Sequence, residues 1–430
     1  MLINYKKLAE YIEYKPNRWQ EELSKSDVRF KVVVAGRRSG KSFYVTRDPK
    51  DGVVADLLLP KQSVWVVAPN YDLTQKIWVP IIQLVRFKFP DIVRRIWDTK
   101  GSYRLDTILD TTLEAKSAED PERLVGSGLT KVIIDEAGLI KKKTWYESLR
   151  PTLIGTKETA VGRAIFIGTP KGKNHFYDLY LDGQNPDKPE WKSWHFTSYE
   201  NEHLDKKELD KLTQDMPEYE YRQEIMAEFE ETAEQLFRNI KKNIQGELIQ
   251  EAQKNQFYSM GMDLGRKGAY SVISIINKRT GHLDYFDRFR KISWELQIQR
   301  TKYAIEKFRP YPITIDATGV GDPVVEELER AIKKKVSAFV FGEITKKQLI
   351  DKLAIWIEKG LVTYPSIPQL LLELERYGRE IMESGKVKYK SIVSVTSDCV
   401  MALALAIWSL RELRREGVVD ELIVFDAPKY

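Results

Sequence analysis

VVVAGRRSGKS, from Val32 to Ser42, sets an apolar β-branched run directly before a Gly/Arg/Ser loop that ends Gly40-Lys41-Ser42. That order predicts a strand, an anion-cradling turn and a helix start, in which backbone N–H groups and a helix N-terminus face the phosphates of a nucleoside triphosphate. Arg37, Arg38, Ser39 and Gly40 form the turn, Lys41 sets a positive charge against the β and γ phosphates, and the Ser42 hydroxyl helps hold Mg2+. The phosphate-loop pattern has glycine five residues before Gly40; here that position is Ala35, and Gly36 beside it can supply the freedom.

Outward from this loop, apolar segments recur at QSVWVVAP (62–69), KVIID (131–135) and RAIFIGTP (163–170), with helical spacing between them. Alternating strands and helices with apolar strands imply an α/β fold built on a mostly parallel sheet covered on both faces. Residues 102–116 alternate more strictly and predict a hairpin at the sheet edge. Phosphoryl transfer also needs a carboxylate on the metal, and the strand VII before Asp135-Glu136 offers one: Asp135 would hold Mg2+ and Glu136 would polarise the attacking water. A pair of acids after an apolar strand is otherwise an ordinary strand cap. Arg37, Arg38 and, in PERLVGSG, Arg123 are candidates to stabilise charge on the transferred phosphate, with a plain surface arginine as the alternative for Arg123. Upstream, NRWQ brings the aromatic face of Trp19 and the amide of Gln20, able to pair with an adenine edge.

From about residue 200 to 256 the chain turns polar, rich in Glu, Lys and Gln, and helix-prone, which reads as a connector. At Tyr258 a new apolar series begins: YSMGMDL, YSVISIIN, LDYFDRF, a helix, then PITIDATG. Three strand-like runs followed by helix and strand make a mixed sheet in a second α/β domain. The division is therefore 1–200, 201–256 and 257–430. Asp263 and Asp316 follow apolar strands and Asp398 opens the apolar helix SDCVMALALA. Each alone is commonplace. Together they suit a cluster holding two hard cations, Mg2+ or Mn2+, for phosphodiester cleavage. A rival for Asp263 is the first phosphate motif of actin-like folds, which would duplicate the nucleotide site already present.

The chain has 430 residues with 69 Lys+Arg over 63 Asp+Glu, a net charge of +6 that permits a polyanionic partner. Lysine clusters at 141–143, 171–173 and 333–335 can meet phosphates or simply be solvated faces. A strand-like segment, GKVKYKSIVSV at 385–395, reads as a DNA-facing hairpin or a lysine-blunted edge. The single cysteine, Cys399, excludes an intrachain disulfide, and histidines at 175, 195, 203 and 282 form no zinc spacing. The charged N-terminus lacks a signal-peptide core and the apolar run Cys399 to Leu410 is too short to cross a bilayer, so no membrane partner and a cytoplasmic setting are expected.

In this order the motifs resemble the large terminase subunit of tailed bacteriophages. NRWQ looks like its adenine motif, AGRRSGKS its phosphate loop, VIIDE its metal and base strand, and Gly168-Thr169-Pro170 its coupling motif, with Thr169 at the nucleotide. Asp263, Asp316 and Asp398 look like its nuclease triad. The resemblance implies an N-terminal P-loop packaging ATPase and a C-terminal RNase H-like nuclease. It also implies Mg2+-ATP, double-stranded DNA, a portal protein, a small terminase subunit and a homo-oligomeric ring on the portal. The setting it implies is the infected host's cytoplasm, with transient docking on the procapsid. Two departures stand out: Ser397 precedes Asp398 where many members pair two acids, and Val125 precedes Gly126 where an arginine is frequent. Rival readings are a repair or recombination ATPase fused to a nuclease, and a nucleotide-gated scaffold with a degenerate nuclease site.

Overall fold

Strand β1 (Phe30–Ala35) is buried along its whole length, and its alternate residues serve two separate cores. Val33 and Ala35 pack with Trp19, Tyr44 and Trp78 on one face, while Phe30, Val32 and Val34 pack with Trp145, Phe166 and Phe176 on the other. Such two-sided burial explains why the run shows no polar alternation. The computed structural model describes residues 4–126, 128–155, 161–230, 233–265, 269–318, 322–382, 387–391, 396–408 and 410. The chain divides into two units: Met1–Glu234 with Arg379–Lys388, and Gln235–Gly378 with Tyr389–Tyr430.

In the first unit, β1 joins β2 (Ser63–Ala68), β3 (Val93–Thr99), β4 (Ser102–Thr107), β5 (Thr112–Ser117), β6 (Lys131–Asp135), β7 (Arg163–Gly168) and β8 (Trp191–Phe196). The eight-stranded sheet runs β3-β4-β5-β2-β6-β7-β1-β8. From β5 to β8 every neighbouring pair is parallel, and β4 and β3 add antiparallel strands at one side. The hairpin over 102–116 forms, but one strand inside the edge. Val93–Thr99 takes the edge itself, and its exposed Arg94, Arg95 and Asp98 hide the alternation while blunting the edge against pairing with other chains. Between 201 and 256, α-helix and π-helix are confined to Lys206–Gln214 and Glu218–Ile225; further on come a short strand, β9 (Ala233–Gln235), and a 3-10 turn at Ile240–Asn243.

In the second unit, β10 (Tyr258–Asp263), β11 (Tyr270–Asn277), β12 (Leu283–Arg290), β13 (Ile313–Asp316) and β14 (Ser337–Phe339) form a sheet in the order β12-β11-β10-β13-β14. β10 is antiparallel to β11 and parallel to β13, so the sheet is mixed as expected. The helices Trp294–Phe308 and Asp322–Ile332 add Phe308, Ile305 and Leu328 to the core of Met260, Met262, Ile273 and Ile315. The helix Asp398–Trp408 lies so close to β10 that a Cβ on Gly261 would meet Ala402 O and Ala406 N at 2.2 Å, and the Ser259 hydroxyl donates to Ala406 O at 2.7 Å. Only glycine fits there. Of the stretch 385–395, residues 387–391 belong to strand β16 (Val387–Ser391), which follows β15 (Tyr377–Ile381); the remainder lies outside the described residues.

Candidate active sites

The phosphate loop is held open by donors around it. Its carbonyls all accept bonds from elsewhere: Arg37 O from the Ser198 hydroxyl (2.7 Å), Arg38 O from Asn201 (2.8 Å), Ser39 O from Trp19 Nε1 (3.1 Å), and Gly40 O from Gln20 Nε2 (3.0 Å). The Arg37 amide donates to Glu224 O at 2.6 Å. Gly36 is needed because a Cβ would strike Ile225 O and Ser198 Oγ at 2.5 Å, and Gly40 because its φ is +100°. Beyond Gly40 the helix Lys41–Arg47 begins, and its first amides have no carbonyl of their own helix to bond. Arg37 and Arg38 are exposed on this loop, Arg38 at φ 63°, while Ser39 is buried with its hydroxyl unpartnered.

The acids sit across the sheet. β7 lies between β1 and β6, pairing Val34 with Gly168 and Asp135 with Ile167, so the ends of three parallel strands bring Gly36, Thr169 and Asp135 to one edge. Ligands bind at that edge in such sheets. Lys41 Nζ, buried here, donates to Ala35 O (2.9 Å), Gly36 O (2.8 Å) and Thr169 Oγ1 (3.2 Å). Burial lowers its pKa, opposed by the charges of Glu136, Asp135 and Glu224. Asp135 is pushed up to about 7 by burial and by Glu136, with Lys41 pulling the other way, and its Oδ1 is buried without a partner. A buried, unsatisfied carboxylate oxygen facing a lysine fits a cation. Ser42 is exposed at the helix start. Glu136 adopts φ 49° and opens the turn Ala137–Leu139.

Trp19 and Gln20 belong to the helix Arg18–Lys25, started by an Asn17 capping box in which Gln20 Oε1 accepts from the Asn17 amide at 3.0 Å. Both side chains buttress the loop. Gln20 also lines a cavity of about 390 Å3 together with Asn17, Phe43, Asn201 and His203. Arg123 stands apart from this network, 75% exposed and paired with Asp120 at 3.0 Å. Sequence reasoning missed Ser198, Asn201, Glu224 and Lys171. Burial alone would raise Glu224, yet the ion pair with Lys171 holds it below the usual carboxylate range.

In the second unit, β10 and β13 pair Met262 with Ile315, which sets the next residues, Asp263 and Asp316, side by side on one face of neighbouring strands. Asp398 opens the helix packed on that same sheet. Asp263 is 9% exposed and pushed up to about 8, first by burial and then by the charges of Asp316, Asp398 and Glu373, with Lys346 opposing. Asp398 is raised by burial and by Glu373, against Arg288 and against bonds from Thr396 and the Tyr270 amide; its Oδ2 is buried and unpartnered. Asp316 accepts the Thr318 amide at 2.7 Å. Among the described residues no three His, Cys, Asp or Glu side chains close around a common point as metal ligands do. The aspartates thus feel one another's charge without forming a finished ligand set. Glu373 and Lys346 were not anticipated, since each lies on a helix whose sequence reads as an ordinary charged face.

Residues 32–244 match the family described as terminase large subunit, T4likevirus-type, N-terminal, and residues 260–410 match the terminase RNaseH-like domain. The large terminase subunit of Thermus phage G20c is 28% identical over 439 residues, covering 93% of this chain and 88% of that protein. That of Escherichia phage T5 is 30% identical over 213 residues, 49% of this chain and 46% of that protein. The solved large terminase of a further thermophilic bacteriophage shares the fold, with a TM-score of 0.54 at 14% identity over 92% of this chain and 99% of that one. With a phosphate loop and acidic strand in one unit, and aspartates ending two strands and opening a helix in the other, the chain belongs to the large terminase subunit family, the viral DNA-packaging ATPases that carry a metal-dependent nuclease.

Proposed function

We propose that ATP binds with its phosphates on residues 36–42, its base in the cavity beside Gln20 and Phe43, and its Mg2+ between Ser42 and Asp135. In this reading Lys41 leaves the Ala35 and Gly36 carbonyls for the β and γ phosphates, Thr169 follows the γ phosphate, and Glu136 orients the attacking water. Arg37 and Arg38 stand at the loop for charge developing in the transition state. Arg123, exposed and unburdened by buried contacts, is suited to reach the nucleotide of a neighbouring copy in a ring. Motion at Thr169 passes along β7, the strand wedged between the loop strand and the acid strand. The functional division we assign is ATPase over 1–200, connector over 201–256 and nuclease over 257–430.

In the nuclease, Asp263, Asp316 and Asp398 would hold two divalent cations, Mg2+ or Mn2+. Bound there, the pair supplies an activated water and stabilises the leaving oxygen. Asp263 must lose its proton for this, and Asp398 Oδ2 is already free of hydrogen bonds. The partners we assign are double-stranded DNA, a portal, a small terminase subunit and further copies of this chain, in the cytoplasm of an infected bacterium and on the procapsid.

The observation that carries this reading is the meeting of Lys41, Thr169 and Asp135 at the ends of three adjacent parallel strands. Packaging into cognate procapsids tests it: wild type should protect DNA from added nuclease in an ATP-dependent way, and Lys41→Ala should protect none. Protection by Lys41→Ala equal to wild type would refute the motor assignment. Strand separation without any procapsid would favour the repair ATPase.

A further inference from the structure

Glu373 sits on the helix Pro368–Arg376 and is 3% exposed. Its Oε2 accepts from the Cys399 amide at 2.7 Å and the Val400 amide at 3.3 Å, and its Oε1 from the Thr396 hydroxyl at 2.7 Å. Those amides belong to the first turn of the helix that Asp398 opens, where no carbonyl of the same helix can serve them. A carboxylate at that end also meets the positive pole of the helix.

The other side of Glu373 is closed by Arg288, 3.8 Å away. Arg288 donates to Thr396 Oγ1 at 3.4 Å and lies with its guanidinium 3.2 Å from the centroid of the Tyr270 ring. The Tyr270 amide in turn bonds Asp398. Glu373, the helix start, Asp398, Tyr270 and Arg288 therefore make a closed circuit with Asp398 as one member. Ser397 precedes Asp398, so the local sequence brings one acid to this helix start and the fold brings the second.

We infer that Glu373 is a positioning residue of the nuclease: it fixes the first turn of the Asp398–Trp408 helix, so that Asp398 presents its unpartnered Oδ2 to a divalent cation, without ligating the cation itself. Both Glu373 oxygens are already engaged, and that leaves Asp398 as the free donor. The inference rests on Asp263, Asp316 and Asp398 being the nuclease set.

The test uses the full chain with Mn2+ as the metal, plasmid DNA as substrate, and maleimide labelling of Cys399, the only cysteine and fully buried. Glu373→Ala should raise the Mn2+ needed for half-maximal cleavage by about tenfold or more, as loss of a partner behind a ligand does. It should speed Cys399 labelling without metal and leave ATP hydrolysis unchanged. Glu373→Gln keeps an acceptor at full reach and should recover most cleavage and slow labelling. Glu373→Asp keeps the charge, shortens the reach and should behave like the alanine variant. Glu373→Asp cutting better than Glu373→Gln would make charge or ligation the role, and wild-type Mn2+ dependence in Glu373→Ala would remove the role entirely. Either overturns the inference. Asp398→Asn is the control: if it cuts normally, the nuclease set is misassigned, a failure distinct from that of Glu373.

Discussion

The phosphate loop and the aspartate set meet opposite electrostatic problems, and the polypeptide finishes them to different degrees. Around residues 36–41 every loop carbonyl and the lysine ammonium have protein partners, so the cradle keeps its shape by hydrogen bonds among neutral groups and one cation. Around Asp263 the neighbours are other carboxylates, and burial with mutual repulsion pushes its pKa up to about 8. Buried charges of one sign exact a free-energy penalty that only a proton or a cation relieves. One site is therefore built before its ligand arrives, and the other waits for its ions.

If that contrast is right, the two chemistries separate cleanly on mutation. Lys41→Ala should cut ATP hydrolysis at least about a hundredfold, the scale of losing one preorganised charge donor, while plasmid cleavage with Mn2+ persists. Asp263→Ala should abolish cleavage and leave hydrolysis intact. A loss of both activities in either variant, with the fold retained, would merge the sites and break the comparison.

A smaller effect sharpens the claim that the loop is preshaped. Gln20→Ala removes the donor on Gly40 O and leaves buried groups unpaired, a cost of about 1–3 kcal/mol. ATP should bind roughly tenfold more weakly or worse by equilibrium titration, since each 1.4 kcal/mol is tenfold. Unchanged affinity would mean that the loop needs no buttress from the Asn17–Gln20 turn.

The smallest effect is thermal. A carboxyl whose pKa is raised on folding binds its proton more tightly in the folded chain, so between about pH 4 and pH 8 the folded state holds the extra proton and stability falls as pH rises. Melting of the metal-free chain should decline over that window, and Asp263→Asn should flatten the decline by about 2–4 °C for each kcal/mol relieved. Mn2+ competes with that proton, so its half-saturating concentration should fall as pH rises. A melting curve flat across the window would deny the buried repulsion.

Legibility in the sequence followed how far apart the interacting residues lie along the chain. Val32–Ser42 and Val132–Glu136 carry strand, turn and chemistry within a few residues, and both reached the same edge of the sheet. The mixed order around Asp263 and Asp316 was readable because each aspartate ends its own apolar strand. The hairpin over 102–116 was readable too, but the charged edge strand Val93–Thr99 outside it was not. The loop's outer supports, Ser198, Asn201 and Glu224, are polar residues from distant segments, and nothing local marks them. Glu373 shows the same limit: in PQLLLELER it looks like one acid on an amphipathic helix, and only the packing of that helix against the Asp398 helix turns it inward.

Anomalous diffraction from crystals of the full chain soaked in MnCl2 tests the central contrast most directly. The account predicts manganese peaks bracketed by Asp263, Asp316 and Asp398, which turn together around the ions, while residues 36–41 keep their hydrogen bonds unchanged. Three aspartates still directed apart with no peak between them would contradict it.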